Sequence, residues 1–157
     1  MYPTVVIRPA RREDLDAITQ LIVRLKRLNA EFDPLLEVVP EIVEASRKYV
    51  ENALESPSSV VLVAVEGDRI VGVFKGDVED RIFYKPRYAG VIREFYVLPE
   101  YRRKGIGKRL MMEGIELLRK KGAELIMASF PALNEIAVNF YKKMNFRPIE
   151  YLFAKEI

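Results

Sequence analysis

Between Glu94 and Leu110 the chain reads Glu-Phe-Tyr-Val-Leu-Pro-Glu-Tyr-Arg-Arg-Lys-Gly-Ile-Gly-Lys-Arg-Leu, and these residue types suit the capture of an anion. Gly105 and Gly107 let the backbone turn sharply and bring several N–H groups close to one ligand atom. A helix predicted to start near Ile106 aims its unpaired N-terminal N–H groups and the positive end of its dipole at the same point. Arg102, Arg103, Lys104 and Lys108 ring that point. A phosphorylated ligand is the first chemistry this arrangement serves.

Two phosphate-loop patterns fail on the residues present. A nucleoside-triphosphatase loop needs Ser or Thr after its lysine, and Lys108 is followed by Arg109. A dinucleotide loop needs a third glycine where Leu110 stands, within an early strand-helix-strand unit that is missing here. The composition narrows the chemistry further. There is no Cys and no His, which removes thiolate nucleophiles, disulfides, the usual neutral-pH base and the commonest metal ligand. No metal is expected.

The elements that must position this loop follow from hydrophobic periodicity. Half of the 157 residues are hydrophobic, enough for one core, so a single domain over residues 1–157 is expected. A strand at residues 5–7 precedes a helix with Leu15, Ile18, Leu21, Ile22, Leu25 and Leu28 at three- and four-residue spacing; Arg24, Lys26 and Arg27 gather near its end, where cations suit the dipole. A linker over residues 29–39 carries Glu31, Phe32, Asp33 and Glu37, without periodicity. Pro40 opens a second helix, whose buried face is predicted to be Ile42, Ala45, Tyr49 and Ala53.

Strands are predicted at residues 60–65 and 70–74, joined as a hairpin by Glu66-Gly67-Asp68-Arg69, and again at residues 89–98. The charged and aromatic stretch 77–87 reads as an irregular excursion or as the ragged ends of two paired strands. After the glycines, Leu110, Met111, Gly114, Ile115, Leu117 and Leu118 form a buried helix side, with a Glu116–Lys120 pair outside. A parallel strand at residues 125–130, a helix capped by Asn134 and buried through Ile136, Ala137, Phe140, Tyr141 and Met144, and a final strand at residues 146–153 complete the chain. The expected fold class is mixed α/β (α+β), with a mostly antiparallel central sheet flanked by helices.

The pattern Arg-x-x-Gly-x-Gly at Arg102, Gly105 and Gly107, after the strand Phe95-Tyr96-Val97-Leu98, resembles the GNAT superfamily of acyl-CoA-dependent N-acyltransferases. The segment Asn134-Glu135-Ile136-Ala137-Val138-Asn139-Phe140-Tyr141, continuing to Phe146, is similar to that family's second signature helix, and the order of elements matches along nearly the whole chain. The resemblance implies that backbone N–H groups around Arg103, Lys104, Gly105, Ile106, Gly107 and Lys108 hold the pyrophosphate of acetyl-CoA. It implies a strand at Phe95, Tyr96 and Val97 splayed from its neighbour, with open backbone for the pantetheine amides and the Val97 N–H for the thioester carbonyl. Tyr141 would give a proton to the departing thiolate, a role its phenol suits, or simply pack on the helix face. Asn134 would touch the cofactor or only cap its helix.

Glu94 stands where related enzymes place a base for the amine, and the opposing reading is a structural ion pair with a neighbour such as Arg93. Glu31 and Asp33 are alternative bases. Together with Phe32 they are also the expected contacts of a cationic acceptor amine. The expectation is direct transfer from acetyl-CoA to a primary amine, without an acyl-enzyme because no Cys is present. An acyl-CoA sensor without transfer is the alternative. The net charge of +3, from 26 basic and 23 acidic residues, argues against nucleic acid. The N-terminus has no signal-peptide pattern and no window is long enough to span a bilayer, so no membrane partner and a cytoplasmic location are expected. Family habit suggests a homodimer, and the abundance of Lys, Arg and Glu suits a thermophile.

Overall fold

Continuous apolar runs build the sheet where both of its faces are covered. The run at residues 60–65 becomes the centre of β2 (Ser59–Glu66), and Gly67, with a left-handed φ of 62°, turns it back onto β3 (Arg69–Asp80). β3 pairs antiparallel with β4 (Tyr88–Val97) as far as Asp80 and Tyr88, so the charged stretch after Asp77 is the paired ends of two strands around a short loop. β1 (Val5–Pro9) pairs antiparallel with β2, and β5 (Leu125–Ala128) pairs parallel with β4 across the helix α3 (Ile106–Lys120). The computed structural model describes residues 4–157; Met1 to Pro3, which open the stretch expected to lack a signal peptide, lie outside the described residues. The sheet order is β1-β2-β3-β4-β5, with antiparallel pairs in the majority as expected.

Helices cover both faces. α1 (Leu15–Ala30) and α2 (Ile42–Glu55) lie on the face that carries Lys75 and Glu94, whereas α3 and α4 (Glu135–Lys143) lie on the face that carries Phe74 and Phe95. Gly114 fixes how closely α3 settles. A Cβ there would meet the Phe74 ring at 2.5 Å, and that ring is fully buried. Only glycine allows the helix to ride directly on the aromatic face.

Several local expectations are corrected. The buried stripe of α2 runs through Ser46, Val50 and Ala53 with Tyr49 half-buried, and Ala45 is exposed. The spacing 46, 49, 50 and 53 is the one that keeps a straight helix facing α1 and the sheet. Glu116 pairs with Arg119 at 2.6 Å, one residue short of the expected Lys120, because the guanidinium fork meets both carboxylate oxygens. Ile136 is 82% exposed, outside the buried side of α4. The strand expected at residues 146–153 does not form. After the Phe146 N–H donates to the Tyr141 carbonyl, residues 147–157 run exposed and without backbone hydrogen bonds. An apolar segment becomes a strand only where a sheet edge supplies its ladder, and none meets it within the chain.

Candidate active site

The site grows from the end of β4. Pairing between β4 and β5 stops at Ile92 and Ala128, so Arg93 to Val97 continue without a β5 partner and the two strands part. The Leu98 N–H donates to Val71 in β3, so by strand alternation the Val97 N–H points to the opposite, open edge. The β3–β4 register steps from Lys75 opposite Glu94 to Gly76 opposite Ile92, leaving Arg93 as one extra residue, a bulge where the strands part.

Beyond the bulge, successive side chains project to opposite faces. Phe95 turns to α3 and α4, where its ring stacks on Phe140 at 5.4 Å and lies 3.5 Å from where a Cβ on Gly107 would stand. Glu94 turns to α1 and α2 and is 5% exposed. Lys26 donates to one Glu94 oxygen at 2.6 Å, and the Tyr49 hydroxyl donates to the other at 2.9 Å. Next to them, buried Lys75 pairs with Asp77 at 2.6 Å and lies 4.8 Å from the centre of the Tyr49 ring. Burial first, then the negative charge and hydrogen bond of Glu94, push the Tyr49 phenol well above its ordinary value. For Asp77 burial pulls upward, but hydrogen bonds from Lys75 and Ser59 and the Lys75 charge outweigh it, and the carboxyl sits below the usual aspartate range.

The loop after β4 turns tightly into a helix N-terminus, the backbone geometry that the sequence led us to expect of an anion cradle. Arg103 and Gly105 both adopt left-handed φ, 65° and 78°, which wraps the loop tightly before α3 starts at Ile106. The amides of Ile106, Gly107 and Lys108 open the helix without intrahelical acceptors; the first helical bond runs from Arg109 N–H to Gly105. Gly107 has an ordinary helical φ, and an added Cβ would make only ordinary contacts. The packing of the fold therefore does not itself demand glycine here. Arg102 is partly committed: its Nε donates to the Val97 carbonyl at 2.9 Å and its guanidinium lies 5.3 Å from the Tyr96 ring centre. Lys104 lies 5.4 Å from the Tyr101 ring centre.

Tyr141 packs beside the segment that follows β5 and reaches β4 through Phe140. Its ring stacks on Phe130, just past β5, at 4.8 Å, and meets the edge of Phe140, which in turn stacks on Phe95 of β4. The residue is 8% exposed, and its hydroxyl has no hydrogen-bond partner among the described residues, yet it is not sealed from solvent. Burial pushes the phenol up to about 12.

The other expected site residues are less concentrated. The Asn134 Oδ1 caps α4 by accepting from Ala137 at 3.1 Å. Asp33 caps a short turn by accepting from the Leu35 N–H at 2.8 Å. No hydrogen bond, ion pair or ring contact joins Glu31, Phe32 or Asp33 to Glu94 or Tyr141 among the described residues; Glu31 and Asp33 are exposed and Phe32 is half-buried. Sequence reasoning missed Lys26, Tyr49 and Lys75 around Glu94, and Arg93 pairs with Asp77 at 3.2 Å instead of with Glu94. The signal for Lys26 was its place four residues after Ile22, on the buried stripe of α1. No group of residues suited to a metal ion occurs among the described residues.

A model of the acetyltransferase (GNAT) family matches residues 22–146. The chain belongs to that family. It is 29% identical over 86 residues to N-alpha-acetyltransferase 30 of Schizosaccharomyces pombe, a match covering 54% of this chain and 55% of that protein. It is 25% identical over 150 residues to an uncharacterized N-acetyltransferase of Methanocaldococcus jannaschii, covering 96% of this chain and 64% of that protein. The chain thus spans under two thirds of the length of these relatives. In fold it is similar to the aminoglycoside N-acetyltransferase AAC(6′)-Iy in complex with CoA, with a TM-score of 0.80 at 14% identity, covering 100% of this chain and 97% of that one. This GNAT chain therefore has the mixed sheet of an acetyltransferase, and no helix among the described residues is long and apolar enough to cross a membrane.

Proposed function

We propose that this protein is a single-domain N-acetyltransferase that moves an acetyl group from acetyl-CoA directly to a primary amine. The observation that carries the reading is the open end of β4, with a carboxylate on one face and an unpartnered phenol on the other. The residues fit acetyl-CoA. The helix amides from Ile106 to Lys108 and the cations Arg103, Lys104 and Lys108 suit a pyrophosphate, and the lack of a side chain at Gly107 lets one approach the backbone closely. The free edge of Phe95, Tyr96 and Val97 suits amide groups.

The chemistry then divides among named atoms. The Val97 N–H donates to the carbonyl oxygen as negative charge grows on it. Glu94 takes the proton of the attacking amine, and Tyr141 supplies one to the departing thiolate. Lys26 already presents an ammonium to Glu94, so a cationic acceptor has to replace it or share the carboxylate with it. The exposed carboxylates Glu31, Asp33 and Glu37 give a cationic small molecule or protein amine a surface to approach. A homodimer, a cytoplasmic location and a thermophilic source belong to the same reading.

One observation favours a second reading, in which the protein senses acyl-CoA without transferring the acyl group: both Glu94 oxygens are already occupied. The two part in a simple experiment. Acetyl-CoA at about a hundred times its Kd should stabilise the protein by about 2.7 kcal/mol in a thermal melt. Release of free CoA in the presence of a panel of amines then identifies the transferase, and a thermal shift without amine-dependent release identifies the sensor. No shift at millimolar acetyl-CoA defeats both.

A further inference from the structure

Lys26 occupies the position that the proposed reaction reserves for the acceptor. Its place four residues after Ile22, on the buried stripe of α1, turns it inward, and its Nζ donates to a Glu94 oxygen at 2.6 Å. The Lys26 side chain is 35% exposed and that of Glu94 6%, so the lysine is the outer member of the pair. Lys75, which faces Glu94 across the β3–β4 ladder, gives the contrast. Its side chain is 10% exposed and is held between Asp77, at 2.6 Å, and the Tyr49 ring, 4.8 Å from its centre. One lysine is locked into packing, while the other meets its carboxylate on a flexible four-carbon stem that water still reaches.

An acceptor in the proposed reaction must bring a primary amine, lose a proton to Glu94 and reach a thioester held at the Val97 N–H. Lys26 supplies the amine and already contacts the proposed base. Glu94 and Val97 lie on one strand, about 10 Å apart at the rise of a β-strand, a gap comparable to the swing of a lysine stem about its Cα. The Tyr49 hydroxyl holds the second Glu94 oxygen at 2.9 Å, so the carboxylate keeps a partner when the ammonium leaves.

We infer that the enzyme acetylates its own Lys26 when acetyl-CoA is bound and no other acceptor competes. The ammonium passes a proton to Glu94, and the neutral nitrogen attacks the thioester carbonyl; the C–N bond forms and the C–S bond breaks. The nitrogen sheds its second proton to water, Tyr141 supplies one to sulfur and recovers it from water, and the products are acetyl-lysine, CoA and one proton. The acetylated side chain has no charge left to hold Glu94. Resting on the transferase reading above, self-acetylation adds the enzyme's own chain to its substrates.

Fresh protein incubated with acetyl-CoA and no added amine should gain one acetyl mass in intact mass spectrometry. Peptide mapping should place it on Lys26, at a rate that does not change with protein concentration, and leave Lys75 unmodified. Tyr141→Phe should slow the reaction at Lys26 about 10²-fold, while exposed lysines react with the thioester as slowly as before. Lys26→Arg, which keeps a cation for Glu94, should lose the added mass with its melting temperature intact. Lys26 modified no faster than the exposed lysines, or equally fast in Tyr141→Phe, means chemical acetylation and overturns the inference, as does a rate that climbs with protein concentration. CoA release on an added amine with Lys26 unmodified also overturns it and leaves the transferase standing, Lys26 being then an ion-pair partner only. No transfer to Lys26 or to any amine overturns the two together.

Discussion

The two faces of β4 are built on different principles. On the α3 and α4 side the candidate groups are backbone amides, glycines and aromatic rings: Ile106 to Lys108, Gly107, Phe95, Phe140 and Tyr141. On the α1 and α2 side they are four charges, Lys26, Glu94, Lys75 and Asp77, with the neutral Tyr49 phenol donating to Glu94. A backbone cradle presents the same donors whatever side chains surround it, and suits a ligand that does not vary. A buried charge network must be rearranged to admit a guest, so it can select one acceptor from many. The comparison predicts that damage on one face should be felt by one substrate only, apart from the groups that take part in proton transfer.

The largest test is Tyr141→Phe. Keeping the ring keeps the stack on Phe130, so kcat should fall about 10²-fold or more while acetyl-CoA binding and melting temperature hardly change. Because burial favours the neutral phenol and its pKa is about 12, above the ordinary value near 10, the donor stays protonated below pH 10 and is lost only as pH rises through 12. The kcat profile should therefore show no alkaline loss from this group between pH 8 and pH 10. A variant with unchanged kcat would reduce Tyr141 to a packing residue.

Glu94→Gln should lower kcat about 10²-fold with the KM for acetyl-CoA unchanged. Lys26→Met is its companion: removal of the resident ammonium should lower the KM of a cationic acceptor several-fold and again leave acetyl-CoA alone. If either variant shifts the acetyl-CoA KM tenfold, the faces are not independent.

Gly107→Ala separates folding from binding. The new Cβ meets the Phe95 ring at 3.5 Å, so the free protein should gain about 0.5–1 kcal/mol of stability from the better helix former. Acetyl-CoA affinity should nevertheless fall about tenfold, measured by calorimetry, because the methyl group crowds the close approach of a phosphate to the first helix amides. Tighter binding would remove Gly107 from the cradle. The smallest effect is expected from Glu31→Gln with Asp33→Asn, a few-fold rise in the KM of a cationic acceptor at low salt that fades at high salt.

What could be read from sequence follows the same division. The cradle was legible because glycines and cations close together in the chain have few other uses, and Tyr141 and Glu94 because they stand within or beside such motifs. The charge network was not. Lys26 and Tyr49 lie 68 and 45 residues from Glu94, and although their helix positions turn both inward, no local pattern names Glu94 as their partner. The β2–β3 hairpin and the parallel crossover were legible from the order of apolar runs and turn residues, but the Arg93 bulge leaves no trace in residue type. The strand expected at residues 146–153 was read from an apolar pattern and does not form, because a pattern alone supplies no sheet edge to pair with.

The extra residue at Arg93 decides which face of β4 each later side chain meets. A bulge works as a half-turn in the strand: everything downstream is rolled over relative to the segment paired with β5. Deleting Arg93 would turn the Glu94 carboxylate toward α3 and α4 and the Phe95 ring toward α1 and α2, exchanging the two faces at the cost of the Arg93–Asp77 ion pair. One inserted position thus acts as the hinge pin of its handedness, and a lineage that lost it would have to reinvent both faces at once.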